Sequence, residues 1–285
     1  MTPQTDTIVL IHGAWMTPRS WDPFRGFYEQ RGYRVLAPPW PRLDGEVEEI
    51  RRDPSAMAGL GIAEIVDGYE QVIRMLDEPP IIIGHSFGGL FVQMLLDRGL
   101  GAAGVAIDAA APKGVWRLPF SQIKALSPVL LNPLNVKRAV PLDFEQFRYA
   151  FANTMTEREA REAFQLNAVP APGRIIFQAG LANLNPWAAT KVDYRNDRRA
   201  PLLLIAGSED HIVPASVNRA NLRKYRRSMA TTDFVEFPGR SHLIVAQPDW
   251  EEVAEHALSW AEEHVSMPTP ASALGATASS SAAGR

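Results

Sequence analysis

Apolar residues along the chain fall into short runs that alternate with longer amphipathic stretches. Six runs of mainly aliphatic residues predict strands: Ile8 to Ile11, Arg34 to Ala37, Ile81 to Ile83, Val105 to Asp108, Leu202 to Ala206 and Phe234 to Phe237. Apolar residues recur at helical spacing over 62–76 and 250–261. Short apolar strands separated by helices are typical of a parallel sheet covered on both faces. We therefore predict an α/β fold with a doubly wound, mostly parallel sheet and helices on both faces.

One long segment between the fourth and fifth predicted strands breaks this alternation. It is rich in proline, asparagine and aromatic residues, and it contains helical patterns at Phe144 to Phe151 and Glu157 to Leu166. We expect it to form an inserted helical lid, or cap. The final residues are almost entirely Ala, Ser, Thr, Gly and Pro, a composition that favours a disordered tail. The predicted domains are 1–112 (core, first part), 113–197 (lid), 198–266 (core, second part) and 267–285 (tail).

Composition and charge indicate an ordinary globular protein that acts on a small molecule. The 285 residues include 29 Lys and Arg against 32 Asp and Glu, a net charge of −3, so we expect neither a nucleic acid nor a membrane as partner. The absence of cysteine excludes a thiolate nucleophile and a cysteine-based zinc site. The first strand follows the N-terminus without a basic segment, and no apolar run approaches the roughly 20 residues of a membrane span. A cytoplasmic enzyme is the expectation.

The most informative motif is Gly84-His85-Ser86-Phe87-Gly88, which directly follows the third predicted strand. A strand that turns at once into a helix forces the central residue into a cramped conformation, which only small neighbours permit. Ser86 would then stand at the edge of the sheet as a nucleophile. A glycine-rich turn with an incidental serine explains these five residues equally well, so the partners that a nucleophilic serine needs must decide.

A serine nucleophile needs a base, which is most often a histidine oriented by a carboxylate. Of the six histidines, four have positions that suit other roles: His85 inside the motif, His211 beside Asp210, and His256 and His264 on the last helix. His242 lies in the loop just after the sixth strand, at the sheet edge where ligands gather. We predict His242 as the base and His12 as a residue that braces its own loop.

The carboxylate and the oxyanion donors should also come from loops at this edge of the sheet. Asp210 follows the fifth strand and is our choice for the acid, whereas Asp108, at the end of the fourth strand, remains an alternative. An oxyanion hole needs two preorganised donors. The N–H of Phe87, directly after the nucleophile, supplies one, and the N–H of Ala14 in the loop after the first strand is best placed to supply the other.

The order oxyanion loop, Ser, Asp, His, each after a predicted strand, resembles the α/β-hydrolase superfamily, in particular its serine-nucleophile esterase and lipase branch. The resemblance lies in His12-Gly13-Ala14-Trp15, Gly84 to Gly89, Gly207 to Pro214 and Gly239 to His242, and it extends from about residue 7 to residue 265. It implies the strand order second, first, third, fourth, fifth, sixth and a Ser86–His242–Asp210 triad.

The resemblance also implies which reactions of the superfamily are compatible with this sequence. Dehalogenase and epoxide-hydrolase relatives carry an aspartate where this chain has Ser86. The loop after the first strand is similar to that of plant methyl-ester hydrolases and hydroxynitrile lyases, but Met16-Thr17 departs from both and the lyases' threonine is absent. We expect hydrolysis of a neutral, moderately hydrophobic ester or lactone through an acyl-enzyme, with no metal or organic cofactor. An acyltransferase, a perhydrolase and a slowly hydrolysing small-molecule receptor are the alternatives.

Aromatic residues give the only hint about the substrate. An apolar pocket lined by some of the following residues is one interpretation: Trp15, Phe87, Trp116, Phe120, Phe144, Phe147, Phe151 and Trp187. The other is that these side chains simply anchor the lid to the core. Acyl length, natural substrate and oligomeric state do not follow from the sequence.

Overall fold

The computed structural model describes residues 5–265 and contains a central six-stranded parallel sheet. The predicted tail, 267–285, lies outside the described residues. The strands are β1 (Thr7–Ile11), β2 (Arg34–Leu36), β3 (Ile81–His85), β4 (Ala103–Ile107), β5 (Ala139–Val140), β6 (Ala171–Pro172), β7 (Leu202–Gly207) and β8 (Thr232–Phe237). The large sheet has the order β2-β1-β3-β4-β7-β8, as the resemblance implies. All six predicted strands are confirmed, and their ends differ from the prediction by two residues at most.

Ten α-helices accompany these strands within residues 5–265. They are α1 (Asp22–Glu29), α2 (Val47–Arg52), α3 (Ile62–Arg74), α4 (Phe87–Asp97), α5 (Phe120–Leu130), α6 (Phe144–Phe151), α7 (Glu157–Asn167), α8 (Gly173–Gly180), α9 (Ala215–Tyr225) and α10 (Trp250–Val265). The predicted stripe on α3 is buried as far as Ile73, whereas Leu76 lies beyond the end of the helix. Two prolines at 79 and 80, which cannot continue a helix, follow shortly after this end.

The sheet separates two apolar layers, because successive side chains of a strand point to opposite faces. On β1, Val9 and Ile11 belong to the layer shared with α3, α4 and the residues after β4. Ile8 and Leu10 belong to the layer shared with α1 and α10. Every residue of β1, β3, β4 and β7 is buried, as a sheet covered on both faces requires.

Helices α5 to α8 and the antiparallel pair β5 and β6 lie between β4 and β7, and we call residues 113–197 the insertion. Helix α6 begins exactly where it was predicted, after Asp143, and α7 begins after Thr156. Each of these two residues forms a capping box, in which its side chain accepts from a backbone N–H three residues later and the side chain there returns the bond. Within residues 5–265, no helix is both long and apolar enough to cross a membrane.

Candidate active site

Ser86 occupies a strained turn between β3 and α4. Its backbone has φ 58° and ψ −117°, a conformation that residues other than glycine rarely adopt. The glycines of the motif make this turn possible. A Cβ on Gly84 would collide with the carbonyl of Gly88, one on Gly88 with the carbonyl of Ile11, and one on Gly89 would lie 2.7 Å from Ala109 Cβ. Helix α4 therefore packs directly against β1 and β3, and its first turn begins at the serine.

His242 connects Ser86 to Asp210 through both of its ring nitrogens. Nδ1 lies 2.6 Å from Asp210 Oδ2, and Nε2 lies 3.0 Å from Ser86 Oγ. A carboxylate can only accept, so Nδ1 carries the proton and the lone pair of Nε2 faces the serine hydroxyl. All three side chains are buried. This is the tautomer and the orientation that a general base for Ser86 requires.

Backbone donors hold the carboxylate of Asp210 in place. Its Oδ1 accepts from the N–H of Ile212 at 2.7 Å and from that of Val213 at 2.8 Å, which leaves Oδ2 for the histidine. The loops after β7 and β8 approach each other closely at Gly207, where a Cβ would lie 2.5 Å from the carbonyl oxygen of Arg240. Because Gly207 has no side chain, the two loops can lie close enough for Asp210 to contact His242.

Asp108, the alternative acid, lies next to Asp210 and makes no hydrogen bond to His242. Its Oδ1 accepts from the N–H of Gly207 at 2.7 Å. No N–H or O–H donor of the described residues reaches its Oδ2, and its remaining side-chain hydrogen bond is to Asp210. Two carboxyl groups can hydrogen-bond only when one of them carries a proton. The hydrogen bonds therefore favour Asp210 as the acid of the triad, and a proton on Asp108 would be shared with the neighbouring carboxylate of Asp210.

The surroundings of Asp108 favour its protonated form. Burial, and after it the negative charge of Asp210, raise the pKa of Asp108 well above its ordinary range, against the opposing effect of the hydrogen bond from Gly207. Asp108 also adopts a positive φ of 45°, which aspartate tolerates better than most residues. The neutral form of Asp108 is thus favoured beside Asp210, a feature that the sequence patterns did not reveal.

Two further histidines near the site are held in the neutral form. His85 Nε2 donates to the carbonyl of His242 at 2.7 Å, and burial, aided by the neighbouring His242, lowers the pKa of His85 well below its ordinary value. His12 Nδ1 donates to the carbonyl of Gly13 at 2.9 Å, its ring stacks on Trp40, and burial lowers its pKa to about 4. The position of His12 fits the predicted bracing role, and that of His85 fixes the backbone of the base.

The two predicted oxyanion donors both lie beside the serine. A Cβ on Gly13 would lie 2.7 Å from Ser86 Cβ and 3.3 Å from Oγ, so the loop after β1 touches the nucleophile. Within residues 5–265, the N–H groups of Ala14 and Phe87 have no hydrogen-bond partner. The N–H of Phe87 is also the first of α4, where the helix dipole favours negative charge. Two unused donors therefore border Ser86.

A metal ion would be a poor fit among the buried groups of this site. One atom each of His85, Asp108 and His242 lie within 4.8 Å of one another, close enough to approach a common ion. Metal binding, however, requires deprotonated ligands. Both ring nitrogens of His242 are hydrogen-bonded, to Ser86 and Asp210, and burial favours the protonated form of Asp108.

Aromatic side chains of the insertion cover the base. The ring of Phe151 lies edge-on to His242 with centroids 5.0 Å apart, and Phe147 stacks on Phe151 at 4.9 Å. Trp15 contacts Phe151 from the core side. Trp15 also links the oxyanion loop to the insertion, because its Nε1 donates to the carbonyl of Val140 at 3.0 Å and its carbonyl accepts from the N–H of Val169 at 3.0 Å.

The other aromatic candidates divide into a packed and an exposed group. Phe144 packs on Phe147's neighbour Phe164, and Phe87 contacts Phe91. Trp116, Phe120 and Trp187 are 71 %, 79 % and 87 % exposed and make no ring contact within the described part of the chain. A pocket role for these three remains a prediction that no contact supports.

Two surface cavities lie near the site but do not contain the triad. One of about 460 Å³ has Arg19, Met155 and Trp250 among its lining residues, and one of about 360 Å³ has Thr154 and Arg240. Ser86 itself is only 4 % exposed.

Comparison with protein families decides the relationship. The model of the alpha/beta hydrolase family matches residues 8–256, which is most of the chain. The chain belongs to the alpha/beta hydrolase family. This agrees with the strand order and with the turn at Ser86. Among curated proteins, no sequence matches significantly.

Solved structures of this family share the fold at low sequence identity. A monoacylglycerol lipase from Paleococcus ferrophilus is 21 % identical with a TM-score of 0.63, covering 92 % of this chain and 96 % of its own. An extracellular alpha/beta-hydrolase from a Paenibacillus species is 20 % identical with a TM-score of 0.63, covering 90 % and 98 %. A pyrethroid hydrolase from Sphingobium faniae is 20 % identical with a TM-score of 0.61, covering 90 % and 98 %. At this identity the likeness concerns the fold alone.

Proposed function

We propose that the protein hydrolyses a neutral, moderately hydrophobic carboxylic ester or lactone through an acyl-enzyme on Ser86. The observation that carries this proposal is the continuous hydrogen-bonded path from Asp210 through His242 to Ser86 Oγ. The positions of the three residues match the arrangement by which serine hydrolases activate their nucleophile. Membership of the alpha/beta hydrolase family supports the reaction class.

In the acylation half, Ser86 Oγ attacks the carbonyl carbon of the ester while its proton passes to His242 Nε2. The carbonyl electron pair moves onto oxygen, and the N–H groups of Ala14 and Phe87 stabilise the resulting oxyanion. When the tetrahedral intermediate collapses, the bond to the alcohol breaks and His242 returns the proton to the leaving oxygen. Asp210 stabilises the imidazolium between these two transfers.

In the deacylation half, a water molecule takes the place of the alcohol. His242 Nε2 accepts a proton from the water as its oxygen bonds to the acyl carbon, and the bond to Ser86 Oγ then breaks. The same proton returns to Ser86, so the enzyme ends as it began and no external reactant other than water is consumed. No step requires a metal or an organic cofactor.

The environment of the base favours an uncharged, apolar acyl group. Phe151, Phe147 and Trp15 surround the approach to His242, and no charged side chain of the described residues other than the buried acids makes a hydrogen bond within the triad. In this proposal the insertion acts as a lid that covers the acyl group during the reaction. The neighbours with the same fold include a monoacylglycerol lipase and a pyrethroid hydrolase.

A covalent probe tests the nucleophile directly. A fluorophosphonate should label the wild type and the Ser259→Ala control, whose serine is exposed on α10, but not Ser86→Ala. A panel of p-nitrophenyl esters and lactones should be hydrolysed by the first two proteins only. Equal labelling of Ser86→Ala, or no labelling of the wild type beside a reactive reference hydrolase, would refute the proposal. Added alcohol or peroxide in the same assay reveals acyl transfer as a product other than the free acid.

A further inference from the structure

The exposed apolar side chains of this protein are concentrated on one part of the insertion. Of the twelve large hydrophobic residues exposed within residues 5–265, nine lie in two short segments, 116–134 and 181–187. We call these nine the apolar face: Trp116, Leu118, Phe120, Ile123, Leu131, Leu134, Leu181, Leu184 and Trp187. Single exposed apolar residues are ordinary on a soluble protein, whereas a concentration of this kind marks a surface that meets something else.

The two segments of the apolar face lie side by side. The side chain of Asn183 accepts from the N–H of Gly114 at 2.6 Å and donates to the carbonyl of Val115 at 2.7 Å. Lys113 Nζ donates to the carbonyl of Asn185 at 2.6 Å. Trp116 and Trp187 are therefore presented from backbone segments that are hydrogen-bonded together one to two residues away.

The segments that carry the apolar face contain basic residues and no acidic ones. The stretches 113–142 and 163–192 contain no Asp or Glu and seven basic residues: Lys113, Arg117, Lys124, Lys137, Arg138, Arg174 and Lys191. None of the seven forms an ion pair within the described residues. Those that do have polar partners contact neutral groups, as when Arg117 bonds Ser216 and Lys124 lies over the ring of Tyr149. The net charge of −3 for the whole chain conceals this local excess of positive charge.

We propose that the apolar face is a docking surface for an anionic lipid–water interface. Tryptophan and aliphatic side chains enter the boundary between headgroups and acyl chains, and neighbouring lysines and arginines are attracted to anionic headgroups. The face carries both components, and its positive charges have no carboxylates to satisfy them. A second copy of the chain is a poorer occupant, because pairing two such faces would bring like charges together. The proposal does not depend on ester hydrolysis.

Tryptophan fluorescence of the wild-type chain can report docking, because the other tryptophans are shielded. Trp15, Trp21, Trp40 and Trp260 are buried, and Trp250 is partly buried. We expect vesicles of phosphatidylcholine mixed with phosphatidylglycerol to shift the emission to the blue and to protect it from acrylamide. Pure phosphatidylcholine vesicles should do so much less. Co-sedimentation with the same vesicles, without any ester present, measures the partition coefficient.

Paired substitutions separate the two components of the surface. Lys137→Gln with Arg138→Gln should lower partitioning into the anionic vesicles by about 25-fold, roughly fivefold for each charge. Trp116→Ala with Trp187→Ala should abolish the spectral shift and weaken co-sedimentation. The matched controls, Arg158→Gln for charge and Met75→Ala with Met229→Ala for exposed apolar area, lie outside the face and should bind like the wild type.

Three outcomes would overturn the proposal. The first is the absence of binding to anionic vesicles, and the second is binding that the face variants and the controls reduce equally. The third is self-association in sedimentation velocity that the Trp116→Ala with Trp187→Ala variant removes, because the face would then join two copies. Each outcome is read without an enzymatic assay, so it is independent of whether Ser86 hydrolyses esters.

Discussion

The effect of replacing Asp108 with asparagine shows whether Asp108 is neutral or ionised in the wild-type protein. Asparagine keeps both contacts of a neutral Asp108, since its carbonyl can accept from Gly207 and its amide can donate to Asp210. The substitution changes the charge of the site only if Asp108 is ionised. The readout is the pH at which the acid limb of kcat/KM reaches half of its plateau, because this limb reports protonation of the base in the free enzyme.

The expected difference between the two cases is large. An oxygen of Asp108 lies within 4.8 Å of a ring nitrogen of His242. At an effective dielectric constant of about 20, a full charge at that separation would stabilise the imidazolium by about 3.5 kcal/mol. Removing it would move the acid limb to lower pH by roughly 2.5 pH units. For a neutral Asp108 we expect a shift of less than about 0.5 pH unit and kcat/KM within about threefold of the wild type.

The assay is a pH profile of kcat/KM for a soluble p-nitrophenyl ester whose own rate is corrected at each pH. Asp210→Asn serves as the comparison and should lose on the order of 10³-fold or more in kcat, because the base loses the carboxylate that sets its tautomer. A shift of the acid limb by two units in Asp108→Asn would refute the neutral assignment. Near wild-type turnover in Asp210→Asn combined with loss in Asp108→Asn would show that the acid lies on β4.

Three further predictions follow from contacts around the site. The substitution Gly13→Ala places a Cβ 2.7 Å from Ser86 Cβ. It should lower kcat by at least about 100-fold with little change in thermal stability. Unchanged turnover would show that the loop after β1 does not border the nucleophile. The pKa values of His12 and His85 are lowered in the folded protein, so both side chains resist protonation there, whereas in the unfolded chain each binds a proton below about pH 6.5. The free energy of unfolding should therefore decrease as the pH falls from 6.5 to about 4. The raised pKa of Asp108 acts in the opposite sense and offsets part of this loss, so the free energy of unfolding in urea should still fall between these pH values. A flat profile would contradict the neutral burial of the histidines. In the wild type at pH 8, Asp108 is ionised in the unfolded chain and must be buried on folding, a cost that Asp108→Asn removes. The midpoint of thermal unfolding of Asp108→Asn should therefore exceed that of the wild type at pH 8 and match it near pH 4. Equal midpoints of the two proteins at both pH values would contradict the raised pKa of Asp108.

Local signals explain most of what could be predicted from the sequence. Helices α6 and α7 were predicted from their helical patterns, and the structure adds a capping box at the start of each, at Asp143 and Thr156, which is encoded within four residues. The turn at Ser86 was recognisable because the three glycines that it needs lie within five residues of one another. The strand order, in contrast, followed only from the family resemblance.

Features that depend on distant pairs of residues could not be predicted. The contact between Asp108 and Asp210 joins two loops about a hundred residues apart, and no pattern in either loop signals that one carboxyl carries a proton. The strands β5 and β6 have two residues each, and the second ends in a proline, so neither gives a periodic signal. The contact of Phe151 with His242 could not be predicted either, because the sequence does not distinguish Phe151 from the other aromatic residues of the insertion.

If the insertion acts as a lid, as proposed above, the two hydrogen bonds of Trp15 to it would couple the entry of substrate to the alignment of the oxyanion donor at Ala14. Trp15 follows Ala14 directly, and it is fixed to the insertion at Val140 and Val169. Any displacement of the insertion that opens a path to the buried Ser86 pulls on the segment that carries the N–H of Ala14. The open enzyme would then have a misaligned oxyanion donor, and closure over a bound acyl group would restore it. With such a linkage, the turnover of a substrate would depend on how well the insertion closes over it. Selection of substrates in this way is specificity by induced fit.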